Sequence, residues 1–305
     1  MTISKSNKLE AHYFFSDESH GFDAVVRNEC EKELLQIYHE IAKALDLKLL
    51  VQSEPPKDGG FVEFWTFLGQ NTSQITIIVS AVAIILSRRP VENKKLTQLQ
   101  IENLELENEL KRNELRNLQL KTLKGDELND KLIINVVNLL SLNYKIIWRR
   151  SNFYKKMLEY RRINKFSSQR FLDETPIGQE RQIKRSDFPN FILSTDELPD
   201  NEIKEAEIDL ISPVLKSGNF LWKGFLKNQI VPFEMQDNPF KSMIQNGEMM
   251  LNNKVTINTL LIQKRKIDEN GLIKITKSIV KLVIDYRING VKYITKDGQN
   301  YLNKK

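Results

Sequence analysis

The spacing of apolar positions changes from segment to segment along this chain, and each change marks an element. Ala11 to Phe15 is a short apolar run of strand character. Ser16-Asp17-Glu18-Ser19 then supplies turn and N-cap chemistry before a helix from Phe22 to Leu45. Its Val25, Val26, Leu34, Ile37, Ile41 and Leu45 make one stripe. Lys48 to Gln52 is a second strand, stopped by Pro55-Pro56 and Gly59-Gly60. Residues 1–60 therefore predict a small β-α-β unit with a core too thin to stand alone.

Phe64 to Ser87 contains no charged residue, and Ile75 to Leu86 is almost continuously apolar. Twelve helical residues cover roughly 18 Å, short of a ~30 Å hydrocarbon core; starting at Trp65 gives roughly 33 Å if Gln70-Asn71-Thr72-Ser73-Gln74 is tolerated. The segment 61–90 is thus either a buried core helix or a membrane-associated helix. Trp65 at one end and Arg88 and Arg89 at the other have the character of membrane flanks and favour the second reading.

Val91 to Lys124 holds neither Gly nor Pro and predicts a helix about 51 Å long. With Leu96 at heptad position a, Leu99, Leu106, Leu110 and Leu120 fall on an a/d seam, together with Asn103, Asn113 and Asn117. That pattern predicts self-association, so a homo-oligomer is the expected state. A further helix runs from Asp126 through Leu140 and Ile147 into a basic window, which completes a helical region over 91–166. Residues 167–206 lose periodicity and read as a connector. From Glu207 the period becomes strand-like, with Asn270-Gly271 and Asn289-Gly290 as hairpin turns and Asp237 capping a short helix. Residues 207–305 predict a β-rich barrel or sandwich-like binding module, and the whole chain an α+β fold with long charged helices between its ends.

Composition sharpens this picture through charge. The formal net charge is +6 over 305 residues. Lys145, Arg149, Arg150, Lys155, Lys156, Arg161, Arg162, Lys165 and Arg170 are opposed in their window by Glu159 alone, so the rest of the chain is slightly acidic. Trp148, Phe153, Tyr154, Tyr160 and Phe166 interleave with these cations. Such a patch suits nucleic-acid phosphates and bases, an anionic lipid surface or an acidic protein, and equally a packed helix whose cations pair internally.

Candidate chemistry is sparse. The single cysteine, Cys30, excludes an internal disulfide framework, and three histidines leave little for a metal site. Phosphate-loop, dinucleotide, zinc-protease and nucleophile-elbow motifs are all missing from the sequence. Asp17, Glu18, Ser19, His20 and Asp23 beside Arg27 read best as helix capping, and Glu207 with Asp209 as two residues on the solvent face of a strand. No catalytic residue, metal or cofactor is expected, and the chain does not read as an enzyme.

His12-Tyr13-Phe14-Phe15 with Ser19-His20, Asp23-Ala24 with Arg27-Asn28, and Gly59-Gly60 ahead of Leu68-Gly69 carry a resemblance. Ser212-Pro213-Val214-Leu215, Trp222-Lys223-Gly224 and Phe233-Glu234-Met235 with Asp237 and Phe240 extend it. In these features the chain resembles a group of uncharacterised bacterial membrane-associated proteins with a short N-terminal domain, a hydrophobic segment, a charged helix and a β-rich end. The resemblance implies an accessory or defence-type role. The expected function is a membrane-tethered, self-associating scaffold or sensor at the bacterial inner membrane, with its C-terminal part cytoplasmic. The alternative is a soluble nucleic-acid-binding protein using the 145–170 patch, cytoplasmic, with 75–86 as core.

Overall fold

A computed structural model describes residues 7–17, 21–45, 47–57, 61–68, 72–88, 130–141, 143–215, 218, 220–249 and 255–304. The chain is α+β and divides into two compact units, Met1–Thr195 and Asp196–Lys305. The coiled-coil segment 91–124 and Arg89 lie outside the described residues.

The first unit is built on a five-stranded antiparallel sheet in the order β2-β3-β1-β4-β5. Its strands are β1 (Asn7–Phe15), β2 (Leu50–Lys57), β3 (Phe61–Leu68), β4 (Ile163–Leu172) and β5 (Thr175–Lys184). Helices α1 (Ala24–Ala44), α2 (Thr72–Ser87), α3 (Asp130–Leu140) and α4 (Tyr144–Glu159) contribute to the same core as alternate residues of the central strand, Leu9, Ala11 and Tyr13. Asp23 caps α1 by accepting from the Val25 and Val26 amides, and the α1 stripe Cys30, Leu34, Ile37 and Ile41 is buried.

The uncharged stretch 64–87 is a strand followed by a helix, and no described helix is long and apolar enough to cross a membrane. The polar run Gln70–Gln74 ends the apolar period, so β3 stops at Leu68 and α2 begins afresh. The 16 residues of α2 span about 24 Å, and its apolar character on all sides is met by protein: Ile78, Val79, Val82 and Leu86 are fully or almost fully buried. Trp65 is 2% exposed and packs edge-on to Tyr38 within the core rather than at an interface. Arg88 donates to the Asn138 side chain. These observations overturn the transmembrane reading, and with it the membrane-tethered scaffold and the inner-membrane placement. The core-helix reading of 75–86 stands.

The basic window is likewise divided, between α4 and β4. The 167–206 connector supplies β4, β5, a 3-10 helix over Arg185–Phe191 and the start of the next unit. Its strands form because β4 finds β1, with Phe166 opposite Tyr13 and Ser168 opposite Ala11. That pairing spans more than 150 residues of sequence and leaves little local signature.

The second unit contains β6 (Glu197–Ser212), β7 (Trp222–Leu226), β8 (Gln229–Met235), α5 (Asn238–Gln245), β9 (Val255–Ile267), β10 (Ile273–Ile288), β11 (Val291–Ile294) and α6 (Lys296–Leu302). Five strands close into a barrel in the order β6-β7-β8-β10-β9-β6. All neighbours are antiparallel except β8 and β10, which run parallel with Ile279 beside Glu234. Trp222, Phe233 and Val283 fill the interior, and Phe240 and Ile244 of α5 pack onto it. Asp237 holds α5 in place with both oxygens: one accepts from the Phe240 amide at 2.9 Å, the other from the Val283 amide of β10 at 2.7 Å. The turn Asn289-Gly290 has both residues at positive φ, as its sequence demands, and joins β10 to β11.

Candidate functional site

The nine cations of the basic window point mostly inward or toward acids of their own unit. Helices α1 and α4 pack antiparallel, and their facing rows match in charge. Lys145 meets Glu40 at 3.8 Å, Arg149 meets Glu33 at 3.2 Å and Lys156 meets Glu29 at 3.1 Å. Arg162 forms a two-pronged bond to Asp17, and Lys165 lies 3.6 Å from the centre of the Phe14 ring. Arg150 is buried and donates to the Ile85 and Arg88 carbonyls, while Arg170 donates to the Ser80 hydroxyl. Lys155 and Arg161 are the two of the nine that are exposed. The interleaved aromatics Phe153, Tyr154 and Phe166 pack edge to face among themselves in the core. Most of the window's charge is therefore engaged within this unit, while Lys155 and Arg161 face solvent.

The other sequence candidates separate in the same way. Asp17 pairs with Arg162, Asp23 caps α1, and residues 18–20, which include His20, lie outside the described residues. Arg27 donates to Glu63 at 2.7 Å. Burial pushes the Glu63 carboxyl above its usual range despite that bond, because the side chain is almost wholly enclosed, whereas half-exposed Arg27 is held charged by it. Cys30 is fully buried and its thiol is pushed well up by desolvation, which removes it as a nucleophile. Glu207 pairs with Arg287, and Asp209 accepts from the Thr256 hydroxyl. Among the described residues no three His, Cys, Asp or Glu side chains gather as a metal site.

The surface that remains is the outer wall of the barrel. Strands β9 and β10 form a hairpin around Asn270-Gly271, and its register sets Lys266 opposite Lys274 and Lys264 opposite Lys277. All four lysines are exposed. Like charges directly opposite on a sheet face repel; Lys277 is relieved by an ion pair to Glu234 on β8, and Glu197 of β6 lies opposite Lys266 on the other side of β9. The Glu234 carboxyl is held below its usual range by Lys277.

Beyond β8 the wall turns apolar. Phe225 of β7 lies opposite Ile230 of β8, and Lys223 opposite Pro232. Phe225 is 42% exposed and Ile230 is 62% exposed. Gly224 between them leaves no room for a Cβ, which would sit 2.4 Å from an Ile208 methyl carbon; this close approach keeps β7 tight on β6. The Lys227-Asn228 turn, both residues at positive φ, adds a cation at one end of the wall. At the other end the β6–β7 loop presents Leu215, Phe220 and Leu221, all more than half exposed. Phe220 and Gly218 border a cavity of about 320 Å³ whose far side is Glu234, Gln236, Asn238 and Lys241.

The lysine pairs escaped the reading of the sequence, although a signal was present. Gln263-Lys264-Arg265-Lys266 and Lys274-Ile275-Thr276-Lys277 flank the Asn270-Gly271 turn, and folding a hairpin about that turn brings the cations face to face. Comparison with family models, curated proteins and solved structures finds no match for this chain.

Proposed function

We propose that this chain binds single-stranded nucleic acid on the outer wall of its C-terminal barrel. The paired lysines Lys264/Lys277 and Lys266/Lys274 carry the reading: exposed cations facing one another across a hairpin suit a polyanion. Exposed Phe225 and Phe220 supply flat apolar faces on which bases stack without sequence preference. A five-stranded barrel with one parallel contact and a helix between its third and fourth strands has the Greek-key layout of oligonucleotide- and oligosaccharide-binding barrels. In these the second and third strands, here β7 and β8, form the binding face.

The experiment is fluorescence anisotropy of a labelled oligothymidylate against the whole chain at several salt concentrations. Binding weakens as salt rises, with a slope near −0.7 per phosphate neutralised. Substituting Lys264, Lys266 and Lys274 by Ala together flattens the slope by roughly two, and Phe225→Ala weakens binding by about 1–3 kcal/mol without changing the slope. Unchanged affinity in both variants overturns the proposal. So does loss of binding on replacing Lys155 and Arg161 instead, which returns the function to the basic window.

A further inference from the structure

Rings that stack on bases are indifferent to sequence, but the barrel places a carboxylate beside one of them. Along β8, Met235 packs into the barrel core, so Glu234 and Gln236 on either side of it share the outer face. The ladder continues past the strand end, because the Gln236 amide donates to the Val280 carbonyl at 2.9 Å. The two Asp237 bonds then turn the chain into α5, where Asn238 and Lys241, three residues apart, share one helix face. These four residues border the cavity of about 320 Å³, with Phe220 and Gly218 on its other side. The Glu234 carboxylate is held from both ends. Lys277 of β10 pairs with Oε2, and the Gln236 side-chain amide donates to Oε1 at 2.7 Å. Gln236 is oriented in turn, since its side-chain carbonyl accepts from the Lys281 ammonium at 2.6 Å. Both donors keep the Glu234 carboxyl below its usual range, so it is ionised at neutral pH and only accepts. A carboxylate has about four lone-pair positions, and these two partners leave acceptor capacity on both oxygens.

A carboxylate fixed in this way discriminates between bases by their donors. Guanine alone among the common bases sets two donors side by side on its pairing edge, the N1–H and the N2 amino group. Adenine and cytosine place an acceptor beside their amino group, and thymine and uracil flank one N–H with carbonyls. Each of those turns a lone pair toward the carboxylate. Guanine O6, next to N1–H, needs a donor, and the Lys241 ammonium borders the same cavity. The volume lies at the small end of the about 300–1,000 Å³ typical of ligand pockets, which suits a single base. Exposed Phe220 supplies the stacking face. Given the nucleic-acid reading of the wall, on which this rests, we infer that the cavity holds one guanine base of the bound strand. Its N1–H and N2 amino group bond to Glu234, its O6 accepts from Lys241, and its ring lies against Phe220.

Fluorescence anisotropy of the whole chain tests it, with labelled oligothymidylate set against the same strand carrying one internal guanine. A single guanine leaves the strand unable to self-associate through guanine quartets of its own. The guanine strand binds about tenfold more tightly, as one bidentate contact to a base edge predicts. Hypoxanthine in place of guanine lacks the N2 amino group and loses most of that gain. 7-Deazaguanine, which keeps the pairing edge, retains it. Glu234→Gln sets a donor where guanine needs an acceptor, so the gain disappears while oligothymidylate binds no more weakly than before. The base analogues use the unaltered protein and decide the question independently of how that variant folds. Equal affinity for the two strands, a gain that survives Glu234→Gln, or a gain lost with 7-deazaguanine each overturns the guanine pocket and leaves the wall as a nucleic-acid surface. Binding of neither strand overturns the reading of the wall itself, and the pocket with it.

Discussion

Replacing Arg150 distinguishes a structural cation from a ligand-binding one. Its guanidinium is 4% exposed and closes the last turn of α2, donating to the Ile85 carbonyl at 2.9 Å and the Arg88 carbonyl at 2.6 Å. The Tyr154 hydroxyl donates to Leu86 between them, so one turn of α4 satisfies three carbonyls that a helix end leaves open. Two bonds from a charged donor contribute about 3–6 kcal/mol. Burial works against them: it pulls the guanidinium down to about 10, a cost of roughly 3 kcal/mol. Arg150→Met removes gain and cost together; the Ile85 carbonyl keeps its bond from the Arg88 amide, and the Arg88 carbonyl loses its donor, worth about 1–3 kcal/mol. The expected loss is therefore about 1–3 kcal/mol for Arg150→Met, and about 3–5 for Arg150→Ala, which adds a cavity. Exposed Lys155→Ala and Arg161→Ala change stability by no more than about 0.5 kcal/mol. Urea unfolding reports the midpoint, and hydrogen exchange of the α2 amides localises the effect. A midpoint unmoved by Arg150→Met, together with weakened oligonucleotide binding, refutes the reasoning, because the side chain then faces a ligand and not the helix end.

Two further predictions concern the other closely fitted groups. Because burial raises the Glu63 carboxyl in the folded state, the folded chain holds its proton more tightly than the unfolded one. As pH rises from the ordinary carboxylate range through the folded value, the wild type loses stability relative to Glu63→Gln, and the gap is constant above it. Melting temperatures of both proteins between pH 4 and 8 show this, and a gap moving the other way refutes it. At Gly298 an added Cβ would lie 1.9 Å from the Ile284 carbonyl oxygen, so Gly298→Ala pushes α6 off β10. The expected cost is about 1–3 kcal/mol in urea unfolding, with loss of protection in β10; a neutral effect refutes the close packing.

How much was legible depends on how local each signal is. The Asp237 cap, Pro239 in the first turn of α5 and the Asn289-Gly290 turn act within four residues, and each appears where its chemistry places it. β10 runs unbroken from Ile273 to Ile288 because a bulge at Thr276 lets the strand continue past Lys277. The apolar run 75–86 had the right element but an ambiguous solvent. Whether an all-round apolar helix meets lipid or protein is decided by what packs on it, and here that is α3, β1, β4 and β5. The candidate site was less legible still. The density of the basic window drew attention, yet density says nothing of direction, and Glu29, Glu33 and Glu40 lie more than 100 residues earlier on α1.

By itself the sequence determined the α+β class, the first helix, the Asp237 cap, most barrel strands and the absence of familiar catalytic motifs. These follow from propensity, period and turn chemistry, which act between near neighbours. Only the tertiary structure decided which charges are spent inside the molecule and which are left facing solvent. Coulomb pairing and desolvation depend on distance in space, so a cation-rich window became a core network. Two modest lysine clusters, a few residues either side of a turn, became an exposed cationic patch.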